Sequence, residues 1–372
     1  MKEETILYTN DLSVGYNKKT LIRDIEINLQ KGQILTLIGP NGSGKSTILK
    51  SITKHLDATY GTVYIDNNSI NKMTEKELAR KISVVFTNKL QTELVTCEDI
   101  VATGRYPYTG TLGILSKEDK IKVEESMKLV QVWDLKDRSF TAISDGQRQR
   151  ILLARAISQE PDIIVLDEPT SFLDIHHKLD LLNILREMVE KQNISVIMSL
   201  HELDLAQKIS DYVMCIKGEY ISYQGEPNEI FNVDLIEDLY DLNNGSYNPL
   251  FGSVEMEKPK GDPDVFVIAG GGSGIDEFRL LQRKGIPFIA GIIHENDIDY
   301  QVGNALAKTV ISEKAFQNIC DESIEKAKEQ LGKCSTVIYC LKQFGEINKR
   351  NVELLDYAIE LGLTILYSAS DL

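Results

Sequence analysis

The stretch Gly39-Pro40-Asn41-Gly42-Ser43-Gly44-Lys45-Ser46-Thr47 decides the reading of this chain. It fits the pattern glycine, four residues, then Gly-Lys-Ser/Thr. The apolar run Ile34-Leu35-Thr36-Leu37-Ile38 precedes it and a helix-forming run follows it. That order predicts a strand, a loop and a helix. The glycines let backbone N–H groups turn inward around an anion, and the new helix aims its positive end at the same point. Lys45 supplies a mobile cation for outer phosphates, and Ser46 offers a hydroxyl to Mg2+.

Phosphate binding alone does not make a hydrolase, but three later elements add the missing groups. The run Ile163-Ile164-Val165-Leu166-Asp167-Glu168 is an apolar strand ending in two carboxylates. Asp167 is placed to hold Mg2+ through water, and Glu168 to polarise an attacking water as general base. His201 follows a second apolar run, residues 194–200, and could contact a terminal phosphate if its other nitrogen is oriented. Ser144-Asp145-Gly146-Gln147 opens a helix, and its Ser, Gly and helix N-terminus again suit an anion.

The 372 residues carry a net charge of −15, which argues against a nucleic-acid partner. No stretch approaches the roughly 18 apolar residues of a membrane span, and no secretory signal is evident. Five scattered cysteines without a CxxC pair read as reduced thiols of a cytosolic protein.

Short β-branched runs alternating with helical stretches predict an α/β fold of two domains. The first spans residues 1–255, with a helical subdomain at about 90–160. A linker at 256–263 lies within the Asn-, Gly-, Ser- and Pro-rich run 241–264, and a small Rossmann-like α/β domain occupies 264–372. Strands are expected at 265–268, 288–293, 336–340 and 364–367. Helices are expected at 275–284, 322–331 and 352–361. The loop Gly270-Gly271-Gly272-Ser273-Gly274 does not fit G-x-G-x-x-G. A tight turn, an anion site at the helix end and dinucleotide binding all stay open there. The cluster from His294 to Asp299, with Gly345 and Asn348, would share that sheet edge.

These elements, in this order, resemble the ATP-binding cassette (ABC) family over residues 6–240. Ser144-Asp145-Gly146-Gln147 matches its signature, Ser171-Phe172-Leu173-Asp174 its D-loop, His201 its switch histidine, and Tyr16 the aromatic that stacks on adenine. The resemblance implies ATP and Mg2+ as ligands. It also implies a head-to-tail homodimer in which ATP lies between the phosphate loop of one subunit and the signature of the other.

Several runs are similar to the iron-chelate (siderophore, haem) and cobalamin uptake branch: residues 100–108 (IVATGRYPY), 173–177 (LDIHH) and 201–206 (HELDLA). This implies an importer subunit, peripheral at the cytoplasmic face of the membrane. Its partners would be an integral-membrane permease, met near Arg105 to Tyr108, and indirectly an external substrate-binding protein. Two departures stand out. Thr87 occupies the position where the family has a metal-contacting Gln, with Asn88 or Gln91 as substitutes, and Asp145 replaces a signature Gly. Asp145 is expected to point away from phosphate and cap its helix. The alternatives are a soluble non-transport cassette ATPase, or a transporter ATPase whose second domain senses or modifies a small molecule.

Overall fold

The computed structural model describes residues 4–86, 95–110 and 113–372, and divides them into two units, Met1–Tyr240 and Asp241–Leu372. In chain order the strands of the first unit are β1 (Thr5–Tyr16), β2 (Lys19–Ile25), β3 (Asn28–Gln30), β4 (Ile34–Ile38), β5 (Tyr60–Ile65), β6 (Asn68–Ser69), β7 (Ile82–Val85), β8 (Ile163–Asp167), β9 (Ser195–Ser199), β10 (Tyr212–Lys217) and β11 (Tyr220–Gly225). Its helices are α1 (Lys45–Ile52), α2 (Glu75–Lys81), α3 (Cys97–Ala102), α4 (Lys117–Leu129), α5 (Asp145–Ser158), α6 (Ile175–Gln192), α7 (Leu203–Ile209), α8 (Pro227–Ile230) and α9 (Val233–Tyr240).

One sheet runs β11-β10-β4-β9-β8-β7, parallel from β10 to β7 with β11 antiparallel at the edge. Every residue of β4, β8 and β9 is buried, as expected of parallel strands covered on both faces. The registers Leu37↔Ser199 and Asp167↔Ser199 align the ends of these three neighbours. The loops that leave them therefore emerge side by side at the carboxyl edge, where open α/β sheets gather ligands.

A second sheet, β2-β1-β5-β6 with β3 also on β1, is antiparallel and was not separated by the alternation reading. Its hairpin turns explain why. Asn17-Lys18 and Asp66-Asn67 adopt left-handed φ of 51°, 63°, 47° and 63°, the geometry of tight two-residue turns, without the glycine that advertises them.

In the second unit the strands are β12 (Gly245–Asn248), β13 (Ser253–Met256), β14 (Val265–Ile268), β15 (Phe288–His294), β16 (Thr309–Glu313), β17 (Thr336–Tyr339) and β18 (Thr364–Leu366). The helices are α10 (Ile275–Lys284), α11 (Ile298–Leu306), α12 (Asp321–Leu331) and α13 (Asn351–Glu360). Five strands form a parallel sheet ordered β16-β15-β14-β17-β18. Alternate residues of β14 feed two cores: Val265 and Val267 pack with Phe278 and Phe288, while Phe266 and Ile268 pack with Ile292 and Leu354. β16 and α11 were not foreseen. The unit boundary also falls after Tyr240 rather than near residue 255, because the Asn- and Gly-rich run folds into the β12–β13 hairpin.

β15 slips register between Ala290 and Ile293. The buried Asn351 side chain repairs the slip, accepting from Ile292 N–H and donating to Ile292 C=O, both at 3.0 Å. The glycine loop closes on itself in a similar way. Asp297 accepts from Gly271 N–H, and Asp299 accepts from Gly274 N–H at both carboxylate oxygens, 3.1 Å each. Ser273 Oγ takes the amide of Gly270. Two carboxylates of this chain thus hold the amides an external anion would need. His294 and Asn348 are likewise engaged locally, with Gln317 O and Gly345 N–H. Cys334 and Cys340 are core thiols pushed up by burial to about 11 and about 12. Among the described residues, no group of three His, Cys, Asp or Glu could hold a metal.

Candidate functional site

Leaving β4, the chain turns through Gly39, Gly42 and Gly44, with φ of 148°, 79° and 96°, and enters α1. Lys45 is buried, and its Nζ donates to the carbonyls of Gly39 (2.8 Å) and Pro40 (3.0 Å), which ties the helix start back across the loop. Burial lowers the Lys45 ammonium from its usual range, against the opposing pull of Glu168 and Asp167. Ser43 Oγ is buried with no hydrogen-bond partner.

The ends of β8 and β9 complete the cluster. Asp167 Oδ1 accepts from Ser46 Oγ (3.0 Å) and Ser199 Oγ (2.8 Å). The Ser199 hydroxyl oxygen in turn takes the N–H of Glu168 (2.9 Å). Glu168 sits at φ 50°, and its two carboxylate oxygens meet different partners: Ser171 Oγ at 3.1 Å and His201 Nε2 at 2.6 Å. Leu21, Asn41, Gly42, Gly44 to Thr47, Glu168 and His201 line one cleft of about 420 Å3. The exposed Tyr16 ring stands at its margin, its hydroxyl 3.4 Å from Thr47 Oγ1.

The structure therefore joins the loop, Asp167, Glu168 and His201 at one point. The residues Ser144 to Gln147 and Asp174 do not line this cleft. Ser144 N-caps α5, its Oγ accepting from Gln147 N–H while Gln147 Oε1 accepts from Ser144 N–H. The expectation that Asp145 caps this helix is corrected. The cap is Ser144, and Asp145 is neutralised one turn on by Arg148, 2.5 Å away. Asp174 N-caps α6 through His177 N–H (2.9 Å). Thr87, Asn88 and Gln91 lie outside the described residues.

Sequence reasoning missed Ser199 and Leu21, and placed Ser171 in the D-loop without its contact to Glu168. Ser199 was detectable as a hydroxyl at a strand end two residues before His201; Leu21 had no signal. A second cleft of about 640 Å3 lies by Phe86, Thr103, Gly104, Arg155 and Gln159. Beside it, Arg105 is not a surface residue. It is buried, paired with Asp119 (2.9 Å) and Glu160 (2.8 Å), whereas Tyr106 is 69% exposed.

Comparison with known proteins agrees with this geometry. Residues 22–171 match the ABC transporter family, and residues 288–371 match the MJ0874 family. An ABC transporter ATP-binding protein of Methanocaldococcus jannaschii, MJ0873, itself uncharacterized, is 38% identical over 77% of this chain and 99% of its own length. The ferric enterobactin transport ATP-binding protein FepC of Escherichia coli is 35% identical over 62% of this chain and 85% of its own. A solved ATP-binding cassette of an ABC transporter, in its ADP conformation, superposes with a TM-score of 0.56 at 26% identity, covering 63% of this chain and 95% of that one. The chain belongs to the ABC transporter ATP-binding proteins, the ATP-hydrolysing cassettes of that family.

Proposed function

We propose that this chain is the ATPase subunit of an importer for iron chelates or cobalamin, acting as a homodimer on a membrane permease with an external substrate-binding protein. The observation that carries the reading is the meeting of Lys45, Ser46, Asp167, Glu168 and His201 at one sheet edge.

The residues fit Mg2+ and ATP. Ser46 Oγ and Asp167 Oδ1 are adjacent hard oxygens, the donor type Mg2+ takes. The buried, unpaired Ser43 hydroxyl has capacity for a phosphate oxygen. Bound there, Mg2+ would neutralise charge building on the phosphates. Residues Gly39 to Thr47 cradle the phosphates, with Lys45 as the point cation, and Tyr16 offers its exposed ring to the adenine. Glu168 draws the proton from the attacking water. His201 and Ser171 fix the two Glu168 oxygens, so the base arrives oriented.

Ser144, Asp145, Gly146 and Gln147 serve the phosphates of the partner subunit in this reading, and Asp174 lies at the joint between subunits. Thr87 is assigned as an additional metal contact. The cleft by Phe86 and Gly104, with exposed Tyr106 beside it, is the permease-facing groove. No helix among the described residues is long and apolar enough to cross a membrane, which suits a subunit held at the cytoplasmic face by its permease.

The test is ATP-driven uptake by proteoliposomes holding the permease that copurifies with the chain, offered ferric hydroxamate or cobalamin in turn. Uptake of one, abolished by Lys45→Ala, is expected. ATP turnover with uptake of neither would sink the cargo assignment.

A further inference from the structure

We propose that Tyr240 is a positioning residue for the phosphate loop, and the point at which the second unit acts on that loop. This goes beyond the ATPase reading and rests on it. Gly39 is buried at φ 148°, and a Cβ there would lie 2.3 Å from Ile216 O, so the loop root has no room to shift toward β10. Both polar groups of Gly39 are committed: its C=O accepts from Lys45 Nζ at 2.8 Å, and its N–H donates to Tyr240 Oη at 3.2 Å. Burial pushes the Tyr240 phenol up to about 12, so the oxygen stays a neutral acceptor near neutral pH.

The placement of Tyr240 gives this bond its interest. Tyr240 is the last residue of α9 and of the first unit. Asp238 latches α9 to the β10–β11 hairpin, accepting from Lys217 Nζ and Tyr223 Oη, both at 3.1 Å. The next residue, Asp241, turns sharply at φ 50° and begins the second unit. Any displacement of that unit's first residue thus acts one peptide away from a phenol anchored in the loop. Because Glu168 and His201 follow other strands, β8 and β9, loosening Gly39 should weaken nucleotide binding and spare the chemical step.

Steady-state ATPase kinetics on the full chain test this. Tyr240→Phe keeps the ring and removes the acceptor. It should raise KM for ATP about 3- to 10-fold, with kcat within about twofold. Asp238→Ala, which frees α9 without touching the loop, should shift KM in the same direction. A four-residue Gly-Ser insertion between Asp241 and Leu242 should also raise KM, and should add nothing in the Tyr240→Phe background. Wild-type KM in Tyr240→Phe would overturn the positioning role, and wild-type KM in Asp238→Ala would overturn the part given to the α9 latch. An insertion without effect on KM would overturn the action of the second unit. Lys45→Ala separates the underlying reading: if it leaves ATP binding intact, the phosphate-loop assignment fails. If it abolishes binding while Tyr240→Phe behaves as wild type, only the Tyr240 proposal fails.

Discussion

Nε2 of His201 lies 2.6 Å from Oε1 of Glu168, joining the end of β9 to the residue that follows β8. A base held by one contact could swing away from its water. This one is held at each oxygen, and its own N–H is fixed by Ser199. Glu168→Gln should lower ATP turnover by about 10²-fold or more while keeping ATP bound. The trapped nucleotide should shift the chain to a dimer on size-exclusion chromatography. His201→Ala removes one of the two carboxylate contacts and should cost less, about 10-fold in kcat. Unchanged turnover in Glu168→Gln would remove Glu168 as the base.

These positions were legible because each motif sits at the end of a wholly buried strand, where an apolar run stops at a polar group. Legibility failed wherever function rests on a partner across the sheet. Ser199 bonds Asp167 only because the β8–β9 register places them opposite, and no spacing along the chain encodes that. Tyr240 reaches Gly39 across 201 residues. In the second unit, the glycine loop was readable as a strand-to-helix turn. Its filling by Asp297 and Asp299 depends on how the chain leaves β15, which the sequence pattern does not show.

Arg105 and Tyr106 are neighbours with opposite fates. Arg105 is 3% exposed and shares a buried ion pair with Asp119, itself 5% exposed. Removing one partner leaves an uncompensated charge, so Arg105→Ala should destabilise the first unit by about 3–5 kcal/mol in denaturant unfolding. Tyr106→Ala should leave stability and basal ATPase unchanged but weaken copurification with the permease. Equal loss of stability in both variants would contradict this division.

Gly104 shows how tightly the helical region is closed. A Cβ at this position would meet Arg155 O and Ser158 Oγ, each at 2.3 Å. Neither neighbour gives cheaply: one is backbone inside α5, and the Ser158 hydroxyl is spent on Val101 O and Arg155 O. Gly104→Ala should therefore cost about 1–3 kcal/mol by overpacking. Thermal unfolding would measure the loss. Full stability in the variant would mean that the helices separate more easily than their packing implies.

The second unit carries two carboxyls whose titrations oppose each other. Burial raises Asp299 to about 6. Its folded form takes up a proton between about pH 6 and the ordinary 3.8, so this group adds stability as pH falls through that window, at most about 3 kcal/mol. Glu313 is the reverse. Burial pushes it up, but the N–H groups of Cys320 and Lys314 outweigh that and hold it at about 2. The stability it lends is complete above its ordinary 4.5 and is lost as pH falls toward 2. Calorimetry of the full chain should show the second unit's Tm rising from pH 7 to about 5 and falling below about 4. Asp299→Ala should abolish the rise and lower Tm at pH 5, because the buried Gly274 amide loses its acceptor. Glu313→Gln should flatten the acid-side fall. A wild-type Tm that declines steadily from pH 7, with Asp299→Ala following the same curve, would show that Asp299 is already ionised within the fold at no cost.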